Sequence, residues 1–170
     1  PTLKDVAAIL YDLGKDPMLP CISISEMSPL DAGNSNKAIR LDKLAVFRKD
    51  RLAGIADGEL RDGLLLASGQ GKEFKLLVPA PEGEGYLNVV FNHYSTRLQP
   101  IFGQERVRMR LLADGYAMVI ENNSNFFMHR PEGIKKIEQV LNEAVKSRIE
   151  KAVRWLQEHG SDALGFGRTI

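Results

Sequence analysis

Apolar residues recur along this chain with two different periods, and each period predicts its own kind of element. A period near 3.6 residues runs over residues 3–13 and, for much longer, over residues 132–159. Pro131 can open the second segment and Gly160 can end it, so we expect a C-terminal helix about 42 Å long. Its apolar stripe consists of Ile134, Ile137, Leu141, Val145, Ile149, Ala152 and Leu156.

Alternation with a period of two predicts strands between these helices. Residues 38–48 and 52–56 flank Lys49-Asp50 and read as the two arms of an antiparallel hairpin. Asp114-Gly115 is a second hairpin turn signal. The remaining strands are predicted at residues 21–25, 74–79, 86–96, 106–112 and 116–121.

A short helix is predicted between the hairpin and the later strands. Asp57 can cap it, and its inward face holds Leu60, Leu64 and Ala67. Six to seven strands in hairpin order with segregated helices predict an α+β fold: a mostly antiparallel sheet of about six strands, the long C-terminal helix packed on one face, and shorter helices. We expect residues 1–170 to form a single domain in which residues 1–20 supply an N-terminal helix and lead-in.

The composition is that of an ordinary globular protein. The 170 residues are 44% hydrophobic and 26% charged, and the formal net charge of +1 gives the whole chain no pull toward nucleic acid or anionic lipid. The one cysteine, Cys21, cannot form an intrachain disulfide. No apolar run approaches the roughly 20 residues needed to cross a bilayer. Because the chain opens at Pro1 without an initiator Met or a leader, we expect a soluble piece of a longer protein.

The motifs that would carry chemistry fail on spacing. Gly69-Gln70-Gly71-Lys72 has Leu66 where a phosphate loop needs Gly, and Glu73 where it needs Ser or Thr. No serine lies in a G-x-S-x-G elbow. No two of the histidines have metal-ligand spacing; they are His93, His129 and His159. We therefore expect no catalytic residue, no cofactor and no metal, in a protein that is not an enzyme.

The sharpest polar feature is a run of arginines at alternate positions, Arg106, Arg108 and Arg110. Together on one sheet face they can grip phosphates, RNA or an acidic partner surface. The other interpretation is a solvated face that acids on neighbouring strands neutralise. The balanced overall charge and the lack of interleaved aromatics on that face argue against nucleic acid as the partner.

Three stretches together resemble a known family. The first is KLAVFRKDRLAG at residues 43–54, followed by GELRDGLL at 58–65; the second is Val78-Pro79 after a strand; the third is the long helix closing on Asp162 and Gly165-Phe166-Gly167. In order and spacing this pattern resembles the C-terminal domain of the Ger(x)C family, the C subunits of spore germinant receptors. The resemblance covers the chain from about Leu3 to Gly167, and it departs at Ala56-Asp57, where the family has a polar residue before the Gly-Glu pair.

The resemblance implies a lipoprotein that is tethered to the inner membrane of the endospore. The lipidated cysteine would lie outside this chain, since Cys21 is inside the domain. The implied partners are an integral-membrane A subunit and a transporter-like B subunit, with no enzymatic activity. Gly165 and Gly167 would let the backbone approach a neighbouring protein closely, with Phe166 as an anchor; alternatively, Phe166 caps the core of its own domain.

We therefore expect a non-enzymatic subunit of a nutrient germinant receptor that makes protein–protein contacts at the spore inner membrane. The candidate contact residues are Arg106, Arg108, Arg110, Gly165, Phe166 and Gly167. Two alternatives stay open. One is a module that binds a small germinant in an apolar pocket with a few convergent polar groups. The other is a protein that binds an anionic surface through its arginines, in a manner that salt would weaken.

Overall fold

The computed structural model describes residues 3–11, 14–26, 37–69 and 73–170. Its elements in chain order are α1 (Leu3–Tyr11), β1 (Met18–Glu26), β2 (Lys37–Arg48), β3 (Arg51–Asp57), α2 (Gly58–Ser68), β4 (Glu73–Pro79), β5 (Gly85–Phe102), β6 (Val107–Ser124), α3 (Pro131–Glu158) and a final 3-10 turn (Gly167–Thr169). The predicted α+β class, with six antiparallel strands and a long C-terminal helix, is confirmed. The strands are divided between two three-stranded sheets, β1-β2-β3 and β4-β5-β6.

Two compact units make up the described fold. The first contains residues 1–62 and 154–170, and the second contains residues 63–153. Both boundaries fall inside helices, α2 and α3, so each of these helices supplies residues to both units. That residues 1–170 form a single domain stays a prediction, which the division into two compact units does not test. The glycine-rich stretch that fails as a phosphate loop, residues 69–72, lies partly outside the described residues, which resume at Glu73.

The core of the first unit lies on one face of the β1-β2-β3 sheet. Leu44 and Val46 of β2 reach this face and are almost fully buried. Their cross-strand partners on β3 are Ala56, which is also buried, and Gly54. A Cβ on Gly54 would lie 2.7 Å from the indole of Trp155, so only glycine leaves room for that ring. The glycine of the return arm is therefore a packing requirement.

Two aspartates join the segment before β1 to the chain that follows α3. Asp16 accepts hydrogen bonds from the backbone N–H groups of Lys49 (2.7 Å) and Asp162 (2.6 Å). The Asp162 carboxylate accepts two more, from Phe166 and Gly167, at 2.7 Å each. We call Asp16 and Asp162 the aspartate clasp. It satisfies four backbone donors that lie outside the ladders of the sheets, and so removes a cost that unpaired amides would impose.

The core of the second unit lies on one face of the β4-β5-β6 sheet. The strand predicted at residues 74–79 is confirmed as β4, in which Phe74, Leu76 and Val78 are buried and the residues between them are exposed. Helix α3 follows its predicted stripe at most positions, but Ile134 is 51% exposed. Buried side chains that β5, α2 and α3 add within this unit include Leu87, Val89, Phe91, Leu64, Leu66, Ile137, Leu141, Ile149 and Ala152.

Helices α2 and α3 approach each other closely within this unit at Gly63. A Cβ on Gly63 would overlap the carbonyl oxygen of Arg148 and would lie 3.0 Å from the Cβ of Ala152. Gly63 is itself buried. The glycine inside the GELRDGLL stretch thus sets the spacing of two helix backbones.

The path of β5 and β6 differs from the prediction. The chain reverses at Gly103, whose N–H donates to the carbonyl oxygen of Arg106 (3.1 Å), and β6 then runs unbroken through Asp114-Gly115. The hairpin turn predicted at Asp114-Gly115 is therefore wrong, as is the end of the strand predicted near residue 96. The two last predicted strands are one strand.

A β-bulge explains why glycine stands at position 115. Asn92 pairs with Tyr116 and Ser95 with Asp114, so two residues of β5, His93 and Tyr94, face Gly115 alone. His93 takes the left-handed conformation there, with φ of 52°. A Cβ on Gly115 would lie 3.2 Å from the Cα of Tyr94. The Asp-Gly pair thus marks a close approach of two strands. The same pair is also a common signal of a hairpin turn, so the sequence alone does not distinguish a turn from a close approach.

Replacing Asp162 with Ala should destabilise the protein. The amides of Phe166 and Gly167 lose their acceptor, and we expect the free energy of unfolding in urea to fall by about 2 kcal/mol. Asp50→Ala is the matched control, because Asp50 is exposed in the β2–β3 turn. Equal unfolding midpoints for Asp162→Ala and Asp50→Ala would contradict the role of the clasp.

Replacing Gly63 with Ala should also destabilise the protein, although alanine favours helices. In an open helix this change stabilises by about 1 kcal/mol. Here the overlap with the Arg148 carbonyl should reverse the sign and lower the free energy of unfolding by about 1–3 kcal/mol. Thermal and urea unfolding measure this sign directly, and a more stable variant would refute the close approach.

Candidate functional site

The features that stand out among the described residues are exposed surfaces. In the ranges 3–11, 14–26, 37–69 and 73–170, no group of three or more His, Cys, Asp and Glu side chains could hold a metal ion. Of the helices described, none is long and apolar enough to cross a membrane. His93 is exposed on β5, His129 is exposed in the segment between β6 and α3, and His159 stacks on Trp155 with ring centroids 4.0 Å apart.

Beyond the bulge, β5 and β6 continue as a two-stranded ribbon. The pairing of β4 with β5 ends at Asn92, whereas β5 and β6 stay paired from Ser95 and Asp114 as far as Phe102 and Val107. We call residues 95–114 the arginine ribbon. Its half-buried face carries Thr96, Leu98, Pro100, Met109 and Leu111, and its exposed face carries Arg97, Gln99, Ile101, Arg108, Arg110 and Leu112.

The exposed face contains an arginine that the sequence interpretation missed. Arg108 and Arg110 lie on it, whereas Arg106 lies in the turn just before β6. Arg97 joins them from β5, since it pairs with Leu112 and is therefore diagonal to Arg110. Only the pairing of the two strands reveals this neighbour. A sequence prediction that placed the turn between β5 and β6 at Gly103 would have given the same register, with Arg97 opposite Leu112.

The charge of this face is not neutralised by the strand opposite. Arg108 lies opposite Ile101 and Arg110 lies opposite Gln99. Asp114, at the base of the ribbon, accepts a hydrogen bond from the Ser95 hydroxyl (3.2 Å). Within the part of the chain that the structure describes, no ion pair involves Arg97, Arg106, Arg108 or Arg110. The neutralisation by cross-strand acids considered above is therefore absent among these residues.

The end of the arginine ribbon is apolar. Phe102 is 69% exposed, and its cross-strand partner Val107 and neighbour Ile101 are each about 40% exposed. Arg106 and Arg108 flank Val107 along the chain. The ribbon thus combines cationic side chains along one face with exposed apolar side chains at its tip.

The first unit exposes a second surface, formed by Ile22, Ile24, Ile39 and Leu41, which we call the aliphatic cluster. Each of these side chains is more than 60% exposed. Ile24 pairs with Ile39, and residues two apart on a strand share a face, so the four lie together. Pro20 is on the same side of β1 and pairs with the buried Leu44. The aliphatic cluster therefore continues the face that buries the core.

The predicted contact residues Gly165, Phe166 and Gly167 are engaged within the first unit. Gly165 is buried with φ of 77°, and a Cβ there would lie 3.4 Å from the Lys15 side chain. The amides of Phe166 and Gly167 donate to the aspartate clasp. The half-buried ring of Phe166 is the part of this segment that a partner can reach, and its contact with one stays a prediction.

Tyr94 anchors the base of the arginine ribbon. It is buried, its hydroxyl donates to the carbonyl oxygen of Leu66 (2.7 Å), and its ring packs edge-on against Phe74. Burial raises the pKa of Tyr94 from 10.0 to about 12, and the negative charge of Asp114 adds to the rise. Both effects favour the neutral phenol, which is the form that can donate the hydrogen bond.

Three comparisons with known proteins relate this chain to spore germination proteins. A family model described as spore germination B3/GerAC-like, C-terminal, matches residues 42–170. The chain is 27% identical over 162 residues to YfkR of Bacillus subtilis (strain 168), a protein named for spore germination, covering 95% of this chain and 42% of that one. The crystal structure of the GerBC protein matches with a TM-score of 0.64 at 11% identity, covering 100% of this chain and 50% of that one. The match to the GerBC structure, at 11% identity, shows the fold alone. The chain spans half or less of the length of both YfkR and GerBC.

Replacing Tyr94 with Phe should change the response to alkali. The folded-state pKa lies above that of an unfolded tyrosine, so Tyr94 contributes stability that is complete below about pH 10 and is lost as the pH rises through about 12. Near neutral pH we expect Tyr94→Phe to lower the free energy of unfolding by about 1 kcal/mol, since the Leu66 carbonyl loses its donor.

The measurement is the tyrosinate absorbance of the folded protein as a function of pH. The wild-type titration minus that of Tyr94→Phe should show one tyrosine with a midpoint near pH 12. A difference curve centred near pH 10 would mean that Tyr94 is not buried at the base of the ribbon.

Proposed function

Because this chain belongs to the spore germination B3/GerAC-like family, we propose that it acts as part of the C-type subunit of a nutrient germinant receptor. In this proposal it is a non-enzymatic element that contacts other receptor proteins at the spore inner membrane. The observation that carries the contact role is the aliphatic cluster, Ile22, Ile24, Ile39 and Leu41.

The aliphatic cluster has the chemistry of a protein contact. Single exposed apolar side chains are normal, but a contiguous group on one sheet face marks an interaction surface. A small germinant would need a concave site with polar groups that converge on it. These four side chains instead share one face of two strands, where a flat apolar surface of another protein can pack against them.

The proposed occupant is an apolar surface of another receptor subunit, as the resemblance to receptor C subunits implies. YfkR and GerBC are about twice as long as this chain, so a further part of the parent protein is the second possible occupant. A second copy of the same chain is the third. Each occupant predicts a different loss when the aliphatic cluster is changed. With another receptor subunit as occupant, association between subunits is lost; with a further part of the parent protein, the stability of the parent is lost; with a second copy, self-association is lost.

Replacing Ile24 and Ile39 together with Ser in the parent protein should weaken its association with the A and B subunits. Both side chains are about 70% exposed, so folding should be little affected, while the contact loses two buried aliphatic groups. We expect co-purification from spore membranes to fall at least about tenfold. Germination in response to nutrients should fall with it.

The matched control replaces Ile55 and Leu77, which are strand residues with similar exposure and lie outside the cluster. This control should keep full association. Unchanged association of the Ile24/Ile39 variant, or equal loss in the control, would contradict the proposal. A lower melting temperature of the parent would assign the cluster to its own chain, and a lower sedimentation coefficient with intact association would assign it to a second copy.

A further inference from the structure

We propose that the arginine ribbon is a membrane-binding element: its exposed face binds the anionic headgroups of a phospholipid bilayer, and its apolar tip enters the headgroup layer. This inference goes beyond the receptor assignment and does not depend on it. It stands on three observations in the second unit, namely the concentration of charge, the free guanidinium groups and the exposed tip.

Positive charge is concentrated in the arginine ribbon. The arginine ribbon, residues 95–114, contains four arginines and two acidic residues, Glu105 and Asp114, which is a net charge of +2 in a chain whose total is +1. The rest of the chain therefore carries a net charge of −1. The near-neutral total hides a local cationic surface, and a basic segment of this kind is attracted to the negative potential of an anionic leaflet.

The guanidinium groups of the ribbon are not held in place by other described residues. Arg97, Arg108 and Arg110 are exposed and make no described ion pair. A specific acidic protein site gains from arginines that are fixed for bidentate pairing. Long side chains that are free to move instead suit headgroups, whose positions vary. The exposed face also lacks an aromatic side chain for stacking on bases, which disfavours single-stranded nucleic acid.

The tip supplies the second signal that stable membrane binding requires. Phe102 is 69% exposed at the end of the ribbon, next to Val107. Peripheral membrane elements combine apolar side chains that enter the interface with cations that contact anionic lipids, because either signal alone is weak. Phe102 and Val107 pair at the end of the ribbon, on the side opposite to Arg108 and Arg110. When the ribbon approaches a bilayer end-on, the apolar tip enters the interface and the arginines nearest to it, Arg106 and Arg108, reach the headgroups.

Vesicle binding of the 170-residue chain tests this inference. The probes are vesicles of phosphatidylcholine alone and vesicles with phosphatidylglycerol added. We expect partition onto the anionic vesicles, little onto the neutral ones, and binding that weakens as salt is raised. Each arginine near an anionic surface strengthens partition about fivefold, so a triple change of Arg97, Arg108 and Arg110 to Gln should weaken it about 100-fold.

Two variants with matched chemistry separate charge from fold. Replacing Arg40, Arg51 and Arg154 with Gln removes the same charge from exposed positions elsewhere and should weaken binding far less. Replacing the three ribbon arginines with Lys keeps the charge and should retain most of the binding to phosphatidylglycerol vesicles. A bidentate carboxylate site on a protein would not tolerate lysine in this way.

The tip has its own readout. Phe102→Ser should weaken partition onto anionic vesicles, and Phe102→Trp should show emission that shifts to the blue and is quenched by brominated acyl chains. The fluorescence of wild type, which has only Trp155, is the background for this measurement. Emission of the new tryptophan that does not respond to vesicles would remove the tip from the proposal.

Three results would overturn the proposal. The first is equal binding to neutral and anionic vesicles, and the second is an equal loss of binding in the two triple Gln variants. The third is an absence of vesicle binding combined with loss of subunit association in the ribbon variant, which would assign the arginines to an acidic protein partner. None of these results changes the family of the chain, so the failure of this proposal is distinct from a failure of the receptor assignment.

Discussion

The first unit depends on four hydrogen bonds that the carboxylates of Asp16 and Asp162 accept from backbone N–H groups. These hydrogen bonds connect three segments that no sheet ladder joins: the entry to β1, the β2–β3 turn and the chain after α3. The start of β1 is held against β2 by the strand pairing itself and by the Phe47 N–H, which donates to the Pro17 carbonyl oxygen; the clasp adds the β2–β3 turn and the chain after α3 to this arrangement. Within the Gly-Phe-Gly segment, a Cβ on Gly167 would lie 3.1 Å from the Asp162 carboxylate, whereas Gly165 has a φ of 77°, a conformation that favours glycine. A motif that identifies the family thus serves local packing first.

The second unit depends in a similar way on one close approach. At the bulge, Gly115 lets β6 pass the backbone of Tyr94, and the buried phenol hydrogen-bonds to α2 through the Leu66 carbonyl. The two strands then continue without β4, and the period-two alternation places arginines on one side and apolar residues on the other. The exposed arginines lie on the side away from the half-buried face, so their cost of desolvation in the isolated chain is small.

Much of this fold follows from local sequence. The β2–β3 hairpin, the strand β4 and the helix α3 were predicted within a residue or two, because each shows a strong period and a clear start or stop. Asp114-Gly115 misled the prediction, since the same dipeptide serves a turn or a close approach, and only long-range pairing distinguishes them. The role of Arg97 could not be predicted for the same reason. The exposure of Ile22 and Ile24 was also missed, because alternation indicates that a strand has two faces without saying how far the core extends along one of them.

We propose that this chain works through two surfaces, the aliphatic cluster and the arginine ribbon. Hydrogen–deuterium exchange of the parent protein, free and then bound to the proposed receptor partners in anionic membranes, measures both surfaces in one experiment. We expect protection on binding to concentrate in residues 20–26, 37–42 and 95–112, with little change along the exposed side of α3. Protection that is confined to other segments, or that a small-molecule germinant alone reproduces in the free protein, would contradict it.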